Sequence, residues 1–205
     1  MFYSDQPTAA LLRFGDVVTG FQSAALHMNS PGTATSALDL QIHLTSPLYF
    51  AVMTPCCSIE AKSISLAPLG EARHSFFSNP RFVEDMTKIN SLLSPADALS
   101  PQHLAALSEE KRAEELAKGP SYVYYDCFVY EPHALFGTYV IKKGQSSWKV
   151  GHRLVDFKSI FRVECEQIER NREVPTGIKV LQLTNTARAQ LRNKLTAYFG
   201  RDADG

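Results

Sequence analysis

Residues 38–69 read LDLQIHLTSPLYFAVMTPCCSIEAKSISLAPL, and they carry three strand signals in succession. Leu38, Leu40, Ile42 and Leu44 alternate with Asp39, Gln41 and His43, the pattern of a half-buried strand. Ser46-Pro47 is a turn signal. Leu48–Met53 is a continuous apolar run, as expected of a central strand, and Pro55 ends it because proline cannot donate to a ladder. Lys62–Leu69 alternates again, with Ile64 and Leu66 facing inward.

Working outward, residues 12–22 (LRFGDVVTGFQ) predict a first strand, with Gly15-Asp16 allowing a bend or bulge. Residues 28–37 are a loop by composition. Beyond residue 74 the character changes. Asn79-Pro80 is a helix start signal, and Phe82, Met86, Ile89 and Leu93 follow at helical spacing. Ser100-Pro101 repeats the signal before a run rich in helix formers that stops at Gly119. Residues 74–120 therefore read as a helical insertion in a β-rich chain. Strands resume at 121–130, 135–142 and 159–168, with a basic-aromatic stretch (WKVGHRLVDF) between the last two. A short apolar piece, 179–183, precedes a closing helix over 186–199, whose apolar stripe is Ala187, Leu191, Leu195 and Tyr198.

Strands and helices do not alternate, which disfavours a parallel α/β fold. The expected architecture is mainly β with helices (α+β): a small, bent antiparallel barrel carrying the insertion and a terminal helix. A chain of 205 residues with 44% hydrophobic and 20% charged residues can bury a real core as a single domain spanning 1–205. Lys+Arg and Asp+Glu balance at 21 each, which excludes a surface coated with positive charge but not a local basic patch. Four cysteines in this length are no disulfide scaffold. The N-terminus has neither a basic start nor a long apolar run, and no window approaches a membrane span. The expectation is a cytoplasmic protein.

The first half resembles the MazF/PemK-like toxins, small SH3-like barrels that open on Gly-Asp-Val. The matching pieces are Gly15-Asp16-Val17, Leu48–Thr54 and Ile64–Leu69. The arginine that such toxins carry just before the apolar strand has no counterpart here, where Ser46 or Pro47 stands. A second resemblance is to uncharacterised bacterial proteins of mobile-element or phage-defence loci. They share a strand followed by Ser/Thr-x-x-Cys-Asp-Ile/Leu, and a final helix with an Arg-x-x-Leu core and an aromatic-x-Arg ending. Thr54–Ile59 matches the first pattern, with Ser58 in place of the aspartate; Arg188–Leu191 and Phe199–Arg201 match the second. These resemblances imply a toxin- or phage-defence-type protein that binds RNA or DNA and can cleave it.

Cys57 matches the recurrent cysteine of that pattern and follows a buried strand, a rigid place for a site. A nucleophilic thiol needs a nearby base and a lowered pKa, and His43, His133 and His152 are the bases on offer. The competing reading is a small buried apolar side chain. The expected catalytic set is Cys57, Thr54, His152 and Arg153. Adjacent extended cysteines point apart, so Cys56 and Cys57 do not form a zinc pair, and no metal is expected. Asp16 reads either as a polar site residue or as turn chemistry.

The basic signal lies in the last third. Lys142, Lys143, Lys149, Arg153 and Lys158 surround Trp148 and His152 in sequence, and Arg188, Arg192 and Arg201 lie along the closing helix, the first two one turn apart. Cations interleaved with aromatics suit phosphate contact and base stacking; they suit equally a solvated surface whose long stems cover apolar edges. Glycine-rich phosphate loops, zinc-protease, serine-hydrolase and EF-hand motifs are missing, so no cofactor is expected. Besides nucleic acid, the partners expected are a protein encoded nearby, docked by the inserted helices, and a second copy in a homodimer. The alternative functions are thus a non-enzymatic interaction module and a thiol-dependent enzyme using Cys57.

Overall fold

The computed structural model describes residues 1–4, 11–28, 40–55, 63–92, 103, 106–118, 124–164 and 178–200. The strands and helices in chain order are β1 (Val17–Val18), β2 (Ser23–Met28), β3 (Leu40–Thr45), β4 (Phe50–Val52), β5 (Ser63–Gly70), α1 (Pro80–Glu84), α2 (Glu109–Lys118), β6 (Cys127–Tyr130), β7 (Tyr139–Lys143), β8 (Ser146–Val150), β9 (Arg153–Asp156), β10 (Phe161–Glu164), β11 (Lys179–Leu181) and α3 (Asn185–Phe199). The fold is α+β with antiparallel pairing throughout the described ladders. Where the sequence reading expects a single domain, the chain clusters into two compact units. The first comprises Met1–Ser4, Gly70–Ser159 and Leu183–Gly205, and the second Asp5–Leu69 and Ile160–Gln182.

The second unit is built on β1, β4, β5, β10 and β11. β1 lies between β11 and β4, and β5 pairs with β4 and with β10. Leu66 is paired on both sides, to Val52 and to Phe161, and both Ile64 and Leu66, the inward positions of its alternation, are buried. Its core is Leu12, Val18, Phe50, Val52, Ile64 and Leu66, with Phe21, Phe161, Val163 and Ile178 packed around it. Among the described residues, the outer strands β10 and β11 of this sheet do not pair with each other, so no closed barrel is formed.

Two expectations for this unit change. The first strand shrinks to Val17–Val18, bracketed by Gly15 and Gly20, whose backbone stands at φ 83° and 86°. β3 is a strand as expected, but its apolar residues are not half-buried: Ile42 and Leu44 are 60% and 69% exposed. Among the described residues β3 pairs only with β2, as a two-stranded ribbon. Residues 41–45 are exposed on both faces of the strand, so among the described residues nothing covers the face that Ile42 and Leu44 define.

In the first unit β6 pairs with β9, and β7 pairs with β8. The core is Ala72, Phe76, Phe77, Phe82, Met86, Ile89, Cys127, Val129, Ile141, Val150 and Leu154. Residues 74–90, read as the start of an insertion, therefore supply much of this core. The single helix expected from residue 80 is broken in two. Asn79 caps α1 by accepting the Arg81 N–H at 3.0 Å; Asp85 then leaves helical geometry (φ −151°) and caps a separate 3-10 turn, Met86–Asn90, by accepting the Thr87 N–H at 2.9 Å. The Asn90 side chain fastens that turn to β6, donating to the Val129 carbonyl and accepting the Val129 N–H, both at 2.7 Å. The N-terminus is held as well: Phe2 stacks on Phe128, Tyr3 bridges to Leu183, and the Thr184 N–H donates to the Phe2 carbonyl at 3.0 Å.

Candidate functional site

Within the first unit, residues 132–155 contain Lys142, Lys143, Lys149 and Arg153 and no aspartate or glutamate. In a chain whose formal net charge is +0, that is a marked segregation. This acid-free stretch folds into the β7–β8 hairpin and leads into β9. A two-residue loop, Gly144-Gln145, closes the hairpin, and Gly144 stands at φ 59°, the left-handed backbone such a tight turn requires.

The hairpin has two unlike faces. Ile141 and Val150 are buried and Trp148 is partly buried against the same core. The other face carries Val140 opposite Lys149 and Lys142 opposite Ser147, and all of these are exposed. Lys142 and Lys149 are diagonal neighbours on that face, a relation that places side chains about 7–8 Å apart in an antiparallel ladder. At the tip, Lys143 donates to the Ser78 hydroxyl.

The aromatics of the segment are engaged inward. The Trp148 ring lies 5.1 Å from that of Phe77, tilted by 39°. The Tyr139 hydroxyl donates to the His152 carbonyl at 2.9 Å and accepts the Ala72 N–H at 2.8 Å. Arg153 covers the Tyr139 ring at 4.8 Å and donates to the Phe136 carbonyl. The His152 imidazole is half-buried; burial pushes its pKa below the usual histidine value, against the opposing pull of Asp85. It is therefore held neutral near pH 7, and Arg153 serves as a brace on the hairpin's base.

The remaining cations of the sequence reading differ among themselves. Lys158 is exposed and pairs with Asp126 at 3.2 Å. Arg188 is buried, donating to the Leu183 carbonyl at 3.1 Å and to Asn185 Oδ1 at 3.2 Å. It braces the start of α3. Arg192 is exposed. Of the expected nucleic-acid-contacting residues, Lys149, Lys158 and Arg192 thus present exposed side chains, whereas Trp148 and Arg188 are used inside the unit.

The members of the expected catalytic set do not all belong to one unit. Thr54 belongs to the second unit, where its Oγ1 accepts the Ser65 N–H at 2.6 Å just past the end of β4. His152 and Arg153 belong to the first. Cys57, like Cys56, lies outside the described residues. Among the described residues, no group of three or more His, Cys, Asp or Glu side chains is placed to hold a metal ion, and no helix is long and apolar enough to cross a membrane.

Two buried cations escaped the sequence reading. In the second unit, the Nζ of the buried Lys179 reaches Oδ2 of the buried Asp16 at 2.7 Å, the Leu11 carbonyl at 2.9 Å and Gln182 Oε1 at 2.9 Å. Asp16 also accepts the Arg13 N–H at 2.8 Å, so it does the turn work expected of Gly-Asp and anchors a buried ion pair besides. In the first unit, Lys194 on α3 is fully buried and donates to the Ile89 carbonyl. Burial pushes its pKa down to about 8, although Cys127 and Asp126 pull the other way. The Cys127 thiol, free and buried, is pushed up to about 12 by the same burial, which makes it inert as a nucleophile. Lys194 was legible in principle: Ala187, Leu191, Lys194 and Tyr198 share the spacing of the buried stripe.

Beside Cys127, Arg73 donates to Asp126 at 3.0 Å and to Asp156 at 2.8 Å. Burial alone would raise the Asp126 carboxyl, but the hydrogen bonds and charges of Arg73 and Lys158 hold it below the usual carboxylate range. That cluster is internally neutralised and offers little to an outside ion. Compared with known proteins, the chain matches no family model, no curated protein and no solved structure.

Proposed function

We propose that the protein binds nucleic acid through the β7–β8 hairpin of its first unit. The observation that carries this reading is the exposed, lysine-bearing outer face of a hairpin that lies within a stretch free of acidic residues. Lysines on an ordered ribbon can exchange condensed counterions for phosphate contacts, which is the main source of sequence-independent affinity. The toxin- or phage-defence-type setting, with its cytoplasmic location, belongs to the same proposal and rests on the sequence resemblances. An open relative of the SH3-like barrel is proposed for the second unit, supported by its antiparallel sheet and by Gly15-Asp16 turning the chain into β1.

The test is fluorescence anisotropy of the whole chain against labelled DNA and RNA over a range of salt, with EDTA present and intact RNA checked on a gel. Binding that weakens steeply with salt is expected, and K142E/K149E should abolish it while leaving the circular dichroism unchanged. Absence of salt-sensitive binding to every oligonucleotide sinks the proposal.

A further inference from the structure

We infer that the β7–β8 ribbon takes double-stranded DNA, entering the major groove and holding the flanking phosphates, and not a single strand. This rests on the nucleic-acid reading above and narrows its substrate class.

Single strands are bound by combining a basic track with aromatic faces on which bases stack. The hairpin offers the first and withholds the second. Trp148 is set against Phe77 at 5.1 Å and is partly buried, and the Tyr139 ring lies beneath the Arg153 guanidinium at 4.8 Å. The outer face consists of Val140, Lys142, Ser147 and Lys149, none of them aromatic. Its side chains other than the lysines are short, which allows the backbone of the ribbon a close approach.

The shape fits a duplex. The B-DNA major groove, about 12 Å wide, admits a two-stranded β-ribbon, whereas the A-form major groove of RNA is too narrow for side chains to read. The ribbon is also ordered before binding, since its inner residues Ile141 and Val150 are fixed in the core. Lys142 and Lys149, diagonal on the face, can each meet a phosphate. Val140 provides an apolar contact of the sort that meets a thymine methyl.

The experiment compares duplex DNA, duplex RNA and the separate DNA and RNA strands, all of equal length, against the whole chain at several salt concentrations. Duplex DNA is expected to bind at least about tenfold tighter than the others. In K142A/K149A the slope of log affinity against log salt should shrink by about 2, since each phosphate contact contributes about 0.9. Emission from Trp148, the single tryptophan, should stay unchanged on binding. Single strands bound as tightly as the duplex, or tryptophan emission quenched by stacked bases, would overturn the duplex inference and leave the nucleic-acid proposal standing. Duplex RNA bound as tightly as duplex DNA would overturn it too. An unchanged salt slope in K142A/K149A, or no binding to any probe, would overturn both.

Discussion

Lys194 on α3 donates to the carbonyl oxygen of Ile89 inside the first unit, so an ammonium out of contact with water ties the closing helix to the 3-10 turn. The groups facing it are Cys127, Asp126 and Arg73. Its pKa falls from 10.5 to about 8 on folding, so between those values the unfolded chain binds more protons than the folded one. The contribution of Lys194 to stability then rises with pH across that window. Cys127 acts in the opposite sense: its pKa climbs from 9.0 to about 12, so the folded chain keeps a proton that the unfolded chain loses. The buried phenols Tyr3 and Tyr139, also raised by burial, add to the loss at higher pH. Urea unfolding should show stability climbing from pH 8 to 9, by about 1 kcal/mol for one proton per pH unit, then levelling, then falling above 10.5. Lys194→Met should erase the climb. A flat profile from pH 8 to 9 in the wild type would refute this account of Lys194.

Lys179 and Asp16 make the second unit's buried pair, and their coupling is measurable. Lys179→Met leaves the Asp16 carboxylate buried with the Arg13 N–H but without its cation. Removing one partner of such a pair costs about 3–5 kcal/mol. The double variant D16N/K179M leaves no uncompensated charge and should cost less than K179M alone. Amide exchange at Val17 and Val18, the strand next to Asp16, reports the loss locally. Simple additivity of the two single variants would show the pair to be uncoupled.

How far the sequence reveals all this differs by element. β4 and β5 are legible because a buried strand needs an apolar run or a clean alternation, and Phe50–Val52 and Ile64/Leu66 supply them. β3 shows the limit of the same rule: the period assigns residues to a face but does not say whether a second layer covers that face. The candidate site divides likewise. Charge segregation around Lys142 and Lys149 can be read from the chain, whereas the inward turn of Trp148 depends on Phe77, which lies on a different element far away in sequence. The Asp16–Lys179 pair was not legible, because only the fold brings β11 next to β1.

Arg73, bridging Asp126 and Asp156, gives the first unit an acid-sensitive clasp. Asp126 titrates below its ordinary value of 3.8 in the folded chain. The stability it contributes is present above that ordinary value and is lost as pH falls through the depressed one. In Arg73→Gln the Asp126 carboxyl loses its hydrogen-bonded cation, and burial then drives its pKa upward. Carboxyl-detected NMR titration should record an upward displacement of Asp126 in R73Q. No displacement would mean that Lys158, at 3.2 Å, suffices to hold it down.

Residues 80–118 invite deletion, since an interaction module would carry its docking surface there. The structure sets a condition on that experiment. Phe82, Met86 and Ile89 belong to the first unit's core, and Asn90 satisfies both backbone groups of Val129. Removing a single large core side chain costs about 2–5 kcal/mol, and a domain of this size has only about 5–15 kcal/mol in total. Deleting 80–118 should therefore unfold the first unit, and any lost complex would reflect that unfolding. Charge reversal on α2 is the informative alternative, because Glu110 and Glu114 are exposed and lie one turn apart. E110K/E114K should leave the melting temperature within a few degrees of wild type, as surface changes of this kind shift stability by about 0.5 kcal/mol or less. A deletion variant that still gave the native amide spectrum of β6 and β9 would show that the stretch is dispensable to the core after all.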